Sequence, residues 1–287
     1  MQIKITTLAE NSVARTGVLA EHGLSMLLDV DGFLVLLDAG PSGVTVHNAK
    51  AMNVDLSKVG HIVLSHGHQD HTNGLRDVLA QTGDVTVHAH VDVWKSRYSV
   101  RKGEKPRFNG LPYARELLES MGATFNLSDK PIRISPTVMT TGPVPRNTPF
   151  EKLDANQQVR TARGWEQDQI QDDQSLLVNT PMGLVVLLGC AHSGIVNTLN
   201  HAREVSGEQR VFAVLGGTHL AFSSKEQLNM TVAALEKFDI QMLGVSHCTG
   251  MSASAVLAQR FGDRFFFNNV GSVFELSENG VSVKRMI

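Results

Sequence analysis

Short apolar runs recur along this chain, and several of them end in a loop that carries histidine. Read as strands, they lie near 2–6, 24–29, 33–38, 61–65 and 85–88 in the first half. The second half offers 132–134, 137–140, 175–179, 184–188, 211–215, 242–246, 264–267 and 281–284. Stretches with helical spacing of apolar residues fall near 72–82, 112–121, 194–205, 224–237 and 251–261. Strands that alternate with helices predict an α/β fold. With 287 residues, 42% of them hydrophobic, the chain can bury one large core or two smaller ones.

One loop changes this picture from architecture to chemistry. The run Ile62-Val63-Leu64-Ser65 ends in His66-Gly67-His68-Gln69-Asp70-His71. If the run is a buried strand, the loop turns four polar side chains toward one point outside the sheet. Such convergence costs stability unless a ligand offsets it. Imidazole nitrogen and carboxylate oxygen suit a divalent metal of borderline softness, zinc first, with iron or manganese as alternatives. The spacing is too short for one tetrahedral centre to take all four donors. Two adjacent ions fit better, one on His66 and His68 and the other on Asp70 and His71.

The pattern His-x-His-x-Asp-His after an apolar strand resembles the signature of the metallo-β-lactamase superfamily. The resemblance implies a single domain over 1–287, a four-layer αββα sandwich of two mixed sheets. It implies that Asp38, which follows Leu34-Val35-Leu36-Leu37, supports the metal loop by hydrogen bonding. It also implies further ligands on strand-end loops of the second half, where Cys190 with His192, His219 and His247 are the candidates. Cys190 stands where most relatives have Asp, and a thiolate is a good zinc ligand. The superfamily's histidine ahead of that strand has no counterpart, since 164–175 holds no His. Either the first metal has two histidines only, or His192 takes the missing place. His247, in Val245-Ser246-His247-Cys248-Thr249-Gly250, resembles the final metal histidine. His219 follows another strand when the ligand positions are already filled, so it reads as a substrate-contacting or supporting group, beside Asp70 as the second catalytic candidate. The motifs Gly-Cys-Ala-His-Ser-Gly, Gly-Gly-Thr-His-Leu and His-Cys-Thr-Gly narrow the resemblance to a branch related to archaeal dihydropteroate-type synthases. Members of that branch join a dihydropterin methyl diphosphate to a ribofuranosyl-aminobenzene phosphate. A two-domain doubly wound fold is the weaker alternative, because ligands from both halves must meet.

Composition narrows the partners. A net charge of −2 does not indicate a nucleic-acid surface. Two cysteines, both in candidate site loops, are not a disulfide framework and suit a reducing cytoplasm. The start Met1-Gln2-Ile3-Lys4-Ile5 lacks a signal-peptide core, and no apolar run is long enough to span a membrane.

The expected partner is a small, phosphorylated substrate. The run 95–108 carries Lys95, Arg97, Arg101, Lys102, Lys105 and Arg107 with Tyr98 and Phe108 between them, either a solvated loop or an anion clamp. The long polar stretch 143–173, with Arg146, Arg160, Arg163 and Trp165, has the length of a lid or insertion. Trp165 either stacks on a planar ring or packs. His88 and His90 read as structural. Ser193-Gly194 and Thr249-Gly250 precede helices, which suits either an anion or ordinary capping. Three activities fit: a dihydropterin-methyl transferase, a di-metal hydrolase of phosphoesters or related bonds, or a metal-dependent sensor without turnover.

Overall fold

The computed structural model describes residues 1–13 and 15–285, so position 14 and the last two residues of the expected 1–287 domain lie outside the described residues. The chain divides into two compact units, each assembled from separate segments.

The first unit comprises Met1–Ala89, Leu111–Leu127 and Asn268–Ile287. Its eight-stranded sheet runs, in spatial order, Gly280–Arg285, Ser272–Ser277, Ile3–Ala9, Ser25–Val30, Phe33–Leu37, His61–Val63, Val85–Ala89 and Ala123–Leu127. The first five strands pair antiparallel and the last four parallel, with Phe33–Leu37 common to both. Parallel strands covered on both faces need unbroken apolar runs. Val35, Leu36, Leu37, Ile62 and Val63 are accordingly fully buried. Asp31 and Gly32 turn the chain between Ser25–Val30 and Phe33–Leu37, both with positive φ, a pairing that matches the twist of a tight hairpin.

Three departures from the pattern have local causes. The expected helix at 72–82 splits into Gln69–Thr72 and Leu75–Thr82, because Gly74 lies against backbone; a Cβ there would sit 2.2 Å from the Ala39 carbonyl. The helix Val44–Ala51 escapes the apolar count because its buried face includes Asn48. That side chain donates to the carbonyls of Leu8 (2.7 Å) and Leu19 (2.8 Å), so the face is polar but satisfied. Ser272–Ser277 also forms a strand that the apolar pattern does not announce.

The second unit comprises His90–Gly110 and Ser128–Phe267. Its six-stranded sheet runs Phe265–Phe267, Met242–Ser246, Val211–Gly217, Gly183–Leu188, Ser175–Thr180 and Val138–Thr140. The first four are parallel, and the last two add antiparallel. The helices Ile195–Ser206, Lys225–Leu235 and Met251–Phe261 pack on this sheet through Leu199, Leu235 and Leu257, which join Leu177, Val186 and Leu243 in one core. The run 132–134 contributes only a bridge from Arg133 to Met139, since Pro131 and Pro136 flank it and proline cannot donate to a ladder.

The stretch 143–173 is not structureless. Gln157–Thr161 and Gly164–Gln167 form a hairpin, which joins Arg97–Ser99 and Arg107–Phe108 in a small four-stranded sheet. Among the described residues, no helix is long and apolar enough to cross a membrane.

Candidate metal-binding sites

In the first unit the histidine loop sits at the carboxyl end of His61–Val63, where open α/β sheets place ligands. Leu37 pairs with Val63, so the residue after each strand emerges side by side. Just beyond these ends Asp38 meets Ser65, two residues past Val63. Asp38 adopts a left-handed backbone, φ +59°, and is completely buried. Its carboxylate accepts the Ser65 N–H at 2.7 Å, the Ser65 hydroxyl at 2.7 Å and His71 Nδ1 at 2.6 Å. A buried carboxylate with these partners is compensated, and it fixes the His71 ring with Nε2 pointing away from it. The Ser65 hydroxyl also lies 2.9 Å from His66 Nδ1. The His66 ring is within 4.6 Å of the His68 ring and 4.3 Å of the His71 ring, centroid to centroid. All three histidines are buried. Asp70 is more open, on the short helix Gln69–Thr72, and pairs with the exposed His22 at 3.4 Å.

His88 belongs to the sheet of this unit. Its ring touches His61 at 3.1 Å and Asn126 at 3.1 Å, and burial followed by the His61 charge pushes its pKa down to about 4. It is a neutral packing histidine.

In the second unit three adjacent parallel strands deliver the remaining candidates. Leu188 pairs with Gly216, and Gly217 with Ser246, so the loops after these strands open next to one another. Ala191, His219 and His247 all have positive φ, near +50°, in a region that non-glycine residues rarely enter. Glycines let the loops approach. A Cβ at Gly216 would lie 2.1 Å from the Leu188 carbonyl, and one at Gly217 would lie 2.6 Å from Cys248 Sγ.

Two clusters of donor atoms result, with members of each within 4.8 Å of one another: Cys190, His192 and His219, and Cys190, His247 and Cys248. Cys248 ties the loops together. Its sulfur accepts the His219 backbone N–H at 3.2 Å and lies 3.5 Å from the Cys190 carbonyl. Burial alone would push its thiol up, but hydrogen bonding to Cys190 and His219 and the nearby His247 charge pull it well below the ordinary thiol range. Burial likewise works against the His219 imidazolium, and the adjacent Cys248 outweighs it, raising that pKa.

Sequence patterns alone do not single out the groups that brace these loops. Asp173 accepts the Ser193 N–H at 2.7 Å, with its carboxyl pushed up by burial. Arg146 donates to the His192 carbonyl at 2.6 Å and to the Gln169 carbonyl at 3.1 Å. Glu151 accepts the N–H groups of Val196 and Asn197, both at 2.8 Å, and caps the helix Ile195–Ser206. A Cβ at Gly194 would collide with that carboxyl group at 2.2 Å, so the helix start is already occupied by a carboxyl group of the chain's own. This corrects the expectation of a free anion site at Ser193-Gly194. Cys248 had one visible signal, its position beside His247.

The basic run at 95–108 also needs correction. Arg97 is completely buried, donating to Asp168 at 2.8 Å and Asp172 at 2.6 Å, so it does not belong to a solvent-facing clamp. Lys95 pairs with Asp92. Trp165 meets Tyr98 edge-on at 4.9 Å and carries the Arg160 guanidinium over its ring at 4.9 Å, both from other strands of the small sheet.

Cavities open among the described residues of this unit. One of about 310 Å³ is lined by His192, His219, Glu151, Lys152 and Phe222. Another of about 590 Å³ is lined by His90, Asp92, Asp129, Arg146, Ile170 and Ser193.

Comparisons with known proteins bear on the family and the fold. Residues 19–151 match the family described as the metallo-beta-lactamase superfamily. The chain is 28% identical, over 95% of its length and 96% of the relative's, to a 7,8-dihydropterin-6-methyl-4-(beta-D-ribofuranosyl)-aminobenzene-5'-phosphate synthase of Methanocaldococcus jannaschii. The solved structure of Tm1679, described as a metal-dependent hydrolase of the beta-lactamase superfamily, superposes with a TM-score of 0.83 at 28% identity, covering 96% of this chain and 100% of that one. The metallo-beta-lactamase fold protein YhfI from Bacillus subtilis shares the fold at a TM-score of 0.58 and 12% identity, covering 96% of this chain and 100% of that one.

Proposed function

We propose that this chain, which matches the metallo-β-lactamase superfamily over residues 19–151, is a metal-dependent enzyme of that superfamily that joins a dihydropterin methyl diphosphate to a phosphorylated ribofuranosyl-aminobenzene. The match to the archaeal synthase carries this proposal, because it extends over nearly the whole of both chains. Two divalent ions, zinc by the donor chemistry, are proposed to bind through His66, His68, Asp70 and His71 and through Cys190, His192 and His247. Bound ions would supply charge to hold and neutralise a diphosphate leaving group.

The chain's own residues do the rest. Asp38 holds His71 through Nδ1, and Ser65 meets His66 at Nδ1, so each ring keeps Nε2 for a ligand. Attack of the aryl amine on the methylene carbon forms a C–N bond, breaks the C–O bond to diphosphate and releases one proton. Asp70 is the proposed acceptor of that proton at its carboxylate, being more exposed than the three histidines of its loop. Aligning two rings is a positioning task, which can account for a large part of a barrier. The cavity of about 590 Å³ is within the size range of small-molecule sites.

A second proposal, hydrolysis of a phosphoester or related bond, draws support from the printed description of Tm1679. One assay separates them. The zinc-loaded chain is incubated with the pterin diphosphate and the aryl amine together, and separately with bis(p-nitrophenyl) phosphate. Coupled product with release of diphosphate is expected. Phosphodiester turnover without coupling would select the hydrolase instead.

A further inference from the structure

We infer that the cavity of about 590 Å³ in the second unit is a subsite for a flat 2-amino-4-oxopyrimidine ring, with His90 and Asp129 reading the polar edge of that ring. The inference rests on the synthase reading above, and it assigns the pterin half of that reaction to one cavity and to two side chains outside the proposed metal ligands.

The first observation is the state of the His90 imidazole. Its side chain is almost fully enclosed, 6% exposed, and Nδ1 accepts the Asp92 backbone N–H at 3.1 Å. A backbone N–H can only donate, so Nδ1 offers its lone pair and the neutral ring holds its proton on Nε2. Nε2 has no hydrogen-bond partner among the described residues, although the ring lines the cavity. The cavity wall therefore carries a preset N–H donor, and leaving such a donor unmet is costly. A purely structural role for His90 accounts for the turn at Asp92 but not for this second nitrogen.

The second observation is the chemistry of the remaining wall. Asp129 is exposed there, and its carboxylate makes no hydrogen bond or ion pair among the described residues. Arg146 also lines the cavity, but its guanidinium is engaged, donating to the carbonyls of His192 at 2.6 Å and Gln169 at 3.1 Å. No lysine joins it, so a phosphate would find no free cation on this wall. Pro143, Pro145 and Ile170 add apolar surface against which a ring face can pack. The ligand that fits is a flat, neutral ring with one acceptor for His90 and neighbouring donors for Asp129. A 4-oxo group followed by the ring N–H and the 2-amino group has that order along one edge, and two parallel N–H groups suit a carboxylate. Ser193 lines the cavity too, one residue past the proposed metal ligand His192, so a ring seated there lies beside the loop that carries the reaction.

Pterins and guanines share this edge, and the test separates them. The zinc-loaded, full-length chain is titrated by calorimetry with 6-hydroxymethylpterin, with lumazine, which has a 2-oxo group in place of the 2-amino group, with guanosine, and with the aryl amine. 6-Hydroxymethylpterin is expected to bind more tightly than guanosine, and lumazine about tenfold more weakly than the pterin, the cost of a lost charge-assisted hydrogen bond. Asp129→Asn is expected to erase most of the difference between pterin and lumazine. His90→Phe, checked for native circular dichroism, is expected to weaken pterin binding about tenfold, whereas His90→Gln, whose amide can donate where Nε2 does, keeps most of the affinity. Aryl amine binding is expected to be unchanged in all three variants. Equal binding of pterin and lumazine by the wild type, or an Asp129→Asn chain that still separates them, overturns the inference even where no His90 variant folds. Tighter binding of guanosine, or variants that lose the aryl amine and keep the pterin, overturns it as well. Pterin binding with the expected dependence on Asp129 but no coupled product upholds the cavity assignment and removes the synthase reading alone.

Discussion

The two units carry candidate metal ligands of opposite design. In the first, the donors are consecutive along one loop, are nitrogen and oxygen, and are braced by a single buried carboxylate, Asp38, which reaches Ser65 and His71. In the second, the donors come from three strand ends, include sulfur, and are brought together by register, by left-handed backbone at Ala191, His219 and His247, and by glycines that leave room. A contiguous loop needs one good brace. A distributed cluster needs every strand in place, so its sensitivity should lie in backbone spacing more than in any one charge.

The largest effect is expected from removing the brace of the first design. Asp38→Ala leaves the Ser65 N–H and His71 Nδ1 without their buried acceptor, and a loss of about 3–5 kcal/mol in stability follows, measured by urea unfolding. The conservative Asp38→Asn should fold and bind metal about 10–100-fold more weakly, read by competition with a chelator. Retention of wild-type affinity in Asp38→Asn would mean that the loop needs no brace.

The corresponding test of the second design adds a methyl group. Gly217→Ala places a Cβ 2.5 Å from the Gly189 carbonyl and 2.6 Å from Cys248 Sγ, so two loops must part. A cost of about 1–3 kcal/mol is expected, with metal weakened more than stability alone would explain. Unchanged thermal unfolding and metal content would show that the spacing of these loops is not critical.

The smallest effect sharpens the comparison through pH. Glu151 caps Ile195–Ser206 beside Gly194, and burial, opposed by its two N–H donors, pushes its pKa up to about 7. A raised carboxyl pKa favours the protonated folded form, so its contribution is complete below the unfolded value of about 4.3 and is lost as pH rises through about 7. Glu151→Gln should cost about 1 kcal/mol at low pH, because an amide accepts with one oxygen only, and should flatten the fall in stability between pH 5 and 8 by an amount on the order of 1–2 kcal/mol. An identical pH profile in the variant would mean that this carboxyl does not titrate in that range. The first unit offers no equivalent among its site residues with a resolved shift; its titrating histidine, His88, lies in the sheet and is held neutral, with a pKa near 4.

The same contrast explains what was legible in the sequence. The loop 66–71 announces itself because its donors are adjacent, and Asp38 is visible as the residue after a run of apolar side chains. Cys190, His192 and His247 could be placed as strand-end residues, but what brings their donors near His219 and Cys248 is pairing between strands distant in sequence, which no local pattern encodes. Arg97 was misleading in the other direction. It lies in a basic run that reads as surface, yet Asp168 and Asp172 come from more than 70 residues away to meet it in the interior. Trp165 and the hairpin around it belong to a sheet whose other strands precede them by a similar span, so their order is equally invisible locally. Helix Val44–Ala51 was hidden for a different reason, a buried asparagine that satisfies backbone carbonyls.

Both designs are expected to hold metal, and a count of bound zinc decides whether they do. Full-length protein loaded with zinc and freed of excess is measured by mass spectrometry of the metal, alongside Asp70→Ala and Cys190→Ser. Two equivalents are expected in the wild type and about one in each variant, with Cys190→Asp close to the wild type. Two equivalents in both single variants, or fewer than two in the wild type, would contradict it.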